Sequence, residues 1–560
     1  MVAVLRRAVA ATVAACAICA PAAVSLAAQT PDLIVTNAKV HTVDEKAPSA
    51  EAFAVAKGRI TFVGTSAAAL KLKGKDTKVV DAKGQAVIPG IIDAHAHLSS
   101  LASALKVVDL TGATSLNEVL QRVAARAKAT PGTGWLQGHG WDQNTWPEKK
   151  FPNKAALDAV VSDRPVVLGR VDGHSIYANS KALAAAGVSA ATKDVAGGRI
   201  ERDAKGEPTG VFVDNAMGLI NRVVPRPTPE EFRASIKDAI TNVNSWGLTG
   251  VHDAGVSANE IAVYEAMAKA GEYNLRNYIM IANGPAVDSL LKVGPRSDLY
   301  DGRLWIRSIK VLGDGAMGSR GAALLEPYAD DAKNRGLLIV DQNTIYAVAV
   351  KALKAGFQVN THEIGDRGNR TALDAYEKAL GEIRGVDHRF RIEHAQILDP
   401  ADIPRFAQLK VLPSMQTSHQ TSDMNWVGTR LGESRLAGAY AWRSLLKTGV
   451  IIPNGTDFPV EQVNPFITFH SAVTRQDAKN LPAGGWRAQE KMTREEALKS
   501  MTIWAAYAGF QEKELGSISV GKRADFVILD QDLMTVAPEK MLDTRVVATY
   551  LGGRAVYEKK

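Results

Sequence analysis

The sequence predicts an α/β fold: a (β/α)8 barrel with an inserted lobe, plus a small β-sandwich built from both chain ends. Three observations carry this. Short segments of period-two patterning crowd residues 32–88 and return beyond residue 520. Between them, apolar strands alternate with helical stretches over roughly 400 residues, as repeated βα units do. One stretch, about 130–225, is too long for a simple βα loop and reads as an insertion.

The bulk numbers agree. The chain has 560 residues, 46% hydrophobic and 22% charged, which is globular composition of more than one folding unit. Its 47 glycines suit many tight turns. The formal net charge of +8 is spread along the chain without a basic, aromatic-interleaved stripe. Nucleic acid is therefore not an expected partner.

Taken in order, residues 1–27 open with Arg6 and Arg7, continue as an apolar Ala/Val run and end in Ser25-Leu26-Ala27. That is the pattern of a signal peptide with a small-x-small cleavage site. The mature protein is expected to be exported, periplasmic or secreted, with no stable membrane span after processing. Cys16 and Cys19 both fall in this leader, so the mature chain would carry no cysteine. Val13-Ala14-Ala15-Cys16 leaves a lipoprotein anchored at Cys16 as the minor alternative.

Residues 28–88 hold strand-like segments at 32–36, 53–55, 60–63, 79–81 and 86–88, read as antiparallel β-structure. Residues 510–560 return strands at 524–529 and 546–551, which complete one composite sandwich domain. Residues 89–509 form the barrel, with helices such as 230–246 and 344–355 between its strands.

The histidines carry the chemistry. His95 and His97 close the apolar run 87–97, and side chains two apart on a strand share a face. His362 and His394 also end strand-like segments, and Asp457 follows the apolar run 450–456. Any one alone reads as an ordinary hydrogen-bonded residue. Five metal-type ligands gathered at strand ends are hard to explain structurally.

With these residues the chain resembles the amidohydrolase superfamily, in the amidohydrolase 3 branch that contains N-substituted formamide deformylase. The likeness runs from about Asp32 to Tyr557 through an ordered series. It includes Asp93-Ala94-His95-Ala96-His97, Gly138-His139-Gly140-Trp141-Asp142, Asp172-Gly173-His174-Ser175, Lys310-Val311-Leu312-Gly313-Asp314-Gly315, Thr361-His362-Glu363, Arg391-Ile392-Glu393-His394 and Gly455-Thr456-Asp457. The resemblance implies a TIM-type metallohydrolase barrel. It implies that His95, His97 and Asp457 hold one divalent metal and His362 and His394 a second. Lys310, as N6-carboxylysine, would bridge the two, since a carbamate offers two anionic oxygens where an ammonium offers none. Zinc is the expected metal, two ions per chain, with iron, manganese or nickel as alternatives. A metal-bound hydroxide would attack, with Asp457 moving the proton to the leaving amine.

Further pocket residues implied by the matching stretches are His139, Trp141, Asp142, His174, Arg320, Gln416 and His419. Thr417 stands where the family usually has proline, which leaves that loop's shape open. Residues 516–522 fit Gly-x4-Gly-Lys, but Arg523 replaces the Ser or Thr of a phosphate loop. No His-Glu-x-x-His occurs. The expected function is an exported, metal-dependent hydrolase of an amide-type C–N bond in a small molecule. Ester, lactone or carbamate hydrolysis is the enzymatic alternative, and a non-catalytic periplasmic binding or regulatory protein is the alternative of another class. A homo-oligomer is compatible with all three.

Overall fold

The computed structural model describes residues 30–225 and 227–559. The expected leader, with Cys16 and Cys19, lies outside the described residues. Seven parallel strands form the barrel wall in chain order: Ile91–Ala96, Leu248–Val256, Arg276–Ala282, Leu304–Leu312, Gln358–Glu363, Arg391–His394 and Leu412–Ser414. Residues 453–457 fill the eighth position. Met415 bridges Asn454 in parallel, and on the other side the Ala94 amide donates to the Asn454 carbonyl at 3.2 Å. Pro453 has no N–H to give to a ladder, so this last member stays irregular. Gly455 is required there, because a Cβ would lie 2.5 Å from the His95 nitrogen.

The first barrel strand is buried along its whole length, as strands covered on both faces are. Outer helices supply the cover. Pro229–Ser245 starts at a capping box, Thr228 with Glu231, and has proline at its first turn. It turns Ile236, Ala239, Ile240 and Val243 inward at helical spacing. No described helix is long and apolar enough to cross a membrane.

The sandwich pairs a sheet of Arg59–Gly64, Ala52–Ala56, Leu33–Thr36 and Lys78–Asp81 with a second sheet. The second contains Ala86–Pro89 beside Phe526–Leu529 and Val546–Leu551, so the two chain ends share it. Phe526 sits between Phe53 and Tyr550, with ring centroids 4.9 and 4.4 Å away. The antiparallel expectation holds only in part. Leu33–Thr36 runs parallel to Lys78–Asp81, because the hairpin Ala52–Gly64 and helix Ser66–Leu70 intervene and reverse the chain twice.

The inserted lobe is a six-stranded sheet running from Val108–Asp109 to Pro208–Asp214, with helix Leu116–Ala129 packed on it. It therefore starts before residue 130, since its first strand and helix mimic one more barrel unit. The lobe roofs the C-terminal mouth of the barrel. One cavity of about 210 Å³ is lined from both sides, by Asp142, Arg170 and His174 of the lobe and by His362, His394 and Asp457 of the barrel.

Candidate metal centre

Each residue of the expected ligand set lies at the C-terminal end of a barrel strand, where this fold presents its chemistry. His95 and His97 end the first strand, Lys310 lies near the end of the fourth, His362 on the fifth and His394 on the sixth. Asp457 follows the closing segment, its amide donating to the His95 carbonyl at 2.8 Å. Strict alternation would send His394 away from its neighbour Glu393. Positive φ at His394 (76°) and Ala395 (44°) breaks the strand, and both side chains turn inward.

Hydrogen bonds fix which nitrogen of each ring faces the centre. His95 Nδ1 donates to Glu393 Oε2 at 2.6 Å, His97 Nδ1 to the Ala254 carbonyl at 3.0 Å, and His394 Nδ1 to Gln416 Oε1 at 2.7 Å. Their Nε2 atoms are left as lone-pair donors. His97 Nε2 lies 3.1 Å and His95 Nε2 3.6 Å from Asp457 Oδ1. Acceptors facing acceptors at such distances call for a cation between them. His362 Nε2 and Asp457 Oδ1 are buried without a hydrogen-bond partner, and the His362 and His394 rings approach to 4.4 Å. Ligand atoms of His95, His394 and Asp457 all lie within 4.8 Å of one another. The donor set fits a divalent metal.

Lys310 is buried, and its Nζ donates to His95 Nε2 at 3.2 Å. Burial pulls its pKa down to about 8, which eases loss of the ammonium proton. Behind His95, Glu393 Oε1 pairs with Arg391 Nε at 2.8 Å, and Arg391 donates from Nη1 to His252 Nδ1 at 2.8 Å. Burial alone would raise the Glu393 carboxyl, but Arg391 and His95 hold it well below the ordinary range.

The remaining sequence-derived residues divide. Asp142, His174 and His419 line the cavity. Arg170, buried, bridges Asp142 and Asp172. His174 Nδ1 donates to Asp214 Oδ1 at 2.7 Å; burial works against its charge, but that carboxylate raises the imidazole to about 9. Gln396 Nε2 donates to His419 Nδ1 at 2.7 Å, which leaves Nε2–H directed toward Asp457 Oδ2, 3.5 Å away. Gln416 orients His394 rather than lining the cavity.

Three expectations are corrected. Trp141 is fully buried in the lobe core, where its indole N–H donates to the Leu168 carbonyl at 2.9 Å. His139 opens on a separate cavity of about 920 Å³ between the lobe sheet and the barrel helices that carry Ser100, Phe232 and Val263. A register shift between His139 and Trp141 separates the two side chains. Arg320 pairs with Asp330 at 2.9 Å and is not part of the cavity wall. Glu393, Asp214 and Glu461 were not singled out from sequence. The signal for Glu393 was a charged pair, Arg391 and Glu393, flanking Ile392 just before His394.

Comparison with known proteins agrees with this geometry. The model of the amidohydrolase family matches residues 78–557. YtcJ of Bacillus subtilis (strain 168) is 33% identical over 526 residues, 93% of this chain and 98% of that protein. N-substituted formamide deformylase of Arthrobacter pascens is 30% identical over 546 residues, 94% of this chain and 98% of that enzyme. The crystal structure of an uncharacterized metal-dependent hydrolase from Pyrococcus furiosus matches with a TM-score of 0.71 and 28% identity, over 90% of this chain and 100% of that one.

Proposed function

Because the chain belongs to the amidohydrolase family and is a metal-dependent hydrolase, we propose that it cleaves an amide-type C–N bond in a small molecule after export from the cytoplasm. The observation that carries the reading is the facing lone pairs of His95, His97 and Asp457 at the barrel mouth. His95, His97 and Asp457 would hold one divalent ion and His362 and His394 a second, with zinc the best match to imidazole and carboxylate donors. Ions held there would polarise a carbonyl oxygen and acidify water within reach. The neutral Lys310 amine adds to the carbon of CO2, forming an N–C bond and releasing one proton. The resulting carbamate turns a cation that would repel the ions into an anion with two oxygens for them.

The other groups handle protons and orientation. Asp457 takes a proton from the attacking water on a carboxylate oxygen and delivers it to the leaving nitrogen. His419 offers Nε2–H, and His174 a charged imidazole braced by Asp214, to oxygens of the substrate. The roofing lobe keeps the cavity to small-molecule size. Export is supported by residues 1–27.

The test combines metal analysis with a hydrolysis panel of N-acyl amines, N-acyl amino acids and esters. Purified protein should carry one to two divalent ions per chain (about the number the ligand set holds). A chelator should abolish activity, added metal should restore it, and amides should be preferred. Full activity in a metal-free preparation, or a preference for esters, would overturn the reading.

A further inference from the structure

Beyond the metal-type ligands, the cavity wall carries four carboxylates: Asp142, Asp172, Asp423 and Glu461. Asp142 and Asp172 share the buried Arg170. Asp423 and Glu461 have no lysine or arginine within 4.0 Å among the described residues. Their side-chain partners are neutral hydroxyls, Tyr440 on Asp423 and Ser422 on Glu461 at 2.6 Å. Burial raises both carboxyl groups and nearby acids add to it, while Tyr440 and the more distant Arg170 act against it on Asp423, and His419 and Ser422 on Glu461. Both side chains are half-buried, and acidic groups set in a cavity wall with no direct ion pair favour a cationic partner.

A second observation points independently to a ligand. The His419 side chain is 7% exposed, lines the same cavity, and has an Nε2 without a hydrogen-bond partner. Its proton is directed at Asp457 Oδ2, 3.5 Å away, without bonding to it, and a substrate oxygen coming between them would accept it. A polar donor and an acidic wall with no direct ion pair at Asp423 or Glu461 thus flank one small cavity.

We infer that the cavity selects amides whose amine portion carries a second, remote positive charge, an ammonium or guanidinium seated between Asp423 and Glu461. Monoacylated diamines and acylated basic amino acids are the substrate class. His419 takes the acyl oxygen while the cationic tail lies against the acidic wall. The inference rests on the proposed amide cleavage for the bond broken, but the charge preference is a binding property and is measured separately.

The metal-loaded protein is titrated calorimetrically with 1,5-diaminopentane and with its neutral isostere 1,5-pentanediol. The diamine should bind at least about tenfold more tightly at low salt. In parallel, kcat/KM for N-acetyl-1,5-diaminopentane should exceed that for N-hexylacetamide, in which a methyl replaces the ammonium, by a similar factor. Both ratios should collapse in Asp423→Asn/Glu461→Gln and shrink in Glu461→Gln alone, with bound metal unchanged. Equal binding of diamine and diol overturns the inference. So does a variant that sheds metal while keeping its preference for the diamine, since the carboxylates would then serve the metals. A diamine preference without hydrolysis of any amide supports the acidic wall while refuting the proposed reaction.

Discussion

Replacing Glu393 by glutamine removes one oxygen and the charge from a carboxylate that braces His95 and pairs with Arg391. In the parent, Oε2 accepts from His95 Nδ1 while Oε1 forms an ion pair with Arg391, whose Nε lies 2.8 Å away, and all three side chains are 0% exposed. A glutamine has a single oxygen. If it faces His95, its amide N–H2 confronts Arg391; if it faces Arg391, it confronts His95. Leaving Arg391 charged and unpaired in the barrel interior costs about 3 to 5 kcal/mol of stability. Losing the group that holds a ligating imidazole in one tautomer costs about 10- to 100-fold in metal affinity. The assay is competition for metal against a chromophoric chelator, with urea midpoints recorded on the same samples. The double variant Arg391→Met/Glu393→Gln separates the two effects. With the guanidinium gone, the glutamine oxygen is free to face His95, so metal affinity should recover toward that of the parent. A folded Glu393→Gln protein that binds metal as tightly as the parent would refute the argument, as would a double variant no better than the single one.

Three further outcomes follow from the same geometry. Lys310→Ala should lose activity and regain part of it in acetate or propionate, which supply two oxygens in the vacated space, whereas Lys310→Arg should not respond; an alanine variant as active as the parent without additive would remove Lys310 from the centre. Asp457→Asn should lower turnover by about 100-fold or more while substrate still binds, and near-normal turnover would assign the proton transfer elsewhere. His388, away from the centre, accepts from the Phe390 amide through Nδ1 at 2.9 Å, and burial pushes its pKa down to about 4. The unfolded chain therefore binds the extra proton first as pH falls, so stability should drop between about pH 6.5 and 4 by about 3 kcal/mol. His388→Gln should flatten that slope in urea titrations, and an unchanged slope would exclude His388 as its source.

The ligand set was legible because each member ends a strand-like segment, and a strand end in a barrel is a known place in space. The partners behind the ligands were not. Glu393 hides next to His394, and only the positive φ of His394 and Ala395 brings both inward, a backbone detail with no marker in the residue types. Gln416 reads equally as a cavity residue or as a brace; Ser414 decides it, because its carbonyl takes the Gln416 amide N–H at 3.2 Å and leaves the oxygen for His394. His139 and Trp141 misled for the converse reason. Two apart on a strand they should share a face, but Gly140 adopts φ of 107° and the register slips between them. In the sandwich, apolar alternation located the strands but not their relative directions, since pairing depends on how many reversals lie between two strands.

The barrel closes where the centre lies. Asp93 on the first strand holds Thr456, 363 residues later, through the Thr456 amide at 3.0 Å and hydroxyl at 2.7 Å. Two residues beyond Asp93 stands His95, and one beyond Thr456 stands Asp457, so the ligands straddle the seam at which the cylinder is zipped shut. An ion shared between them would be a rivet as well as a reagent, fastening the two most distant margins of the wall and removing freedom from the chain as a long cross-link does. Loss of the rivet should then be felt first along the seam: amide exchange should quicken at residues 453–457 and 93–97 in the apo protein, ahead of the strands on the opposite side. Uniform exchange around the cylinder would mean that the wall holds itself closed without it.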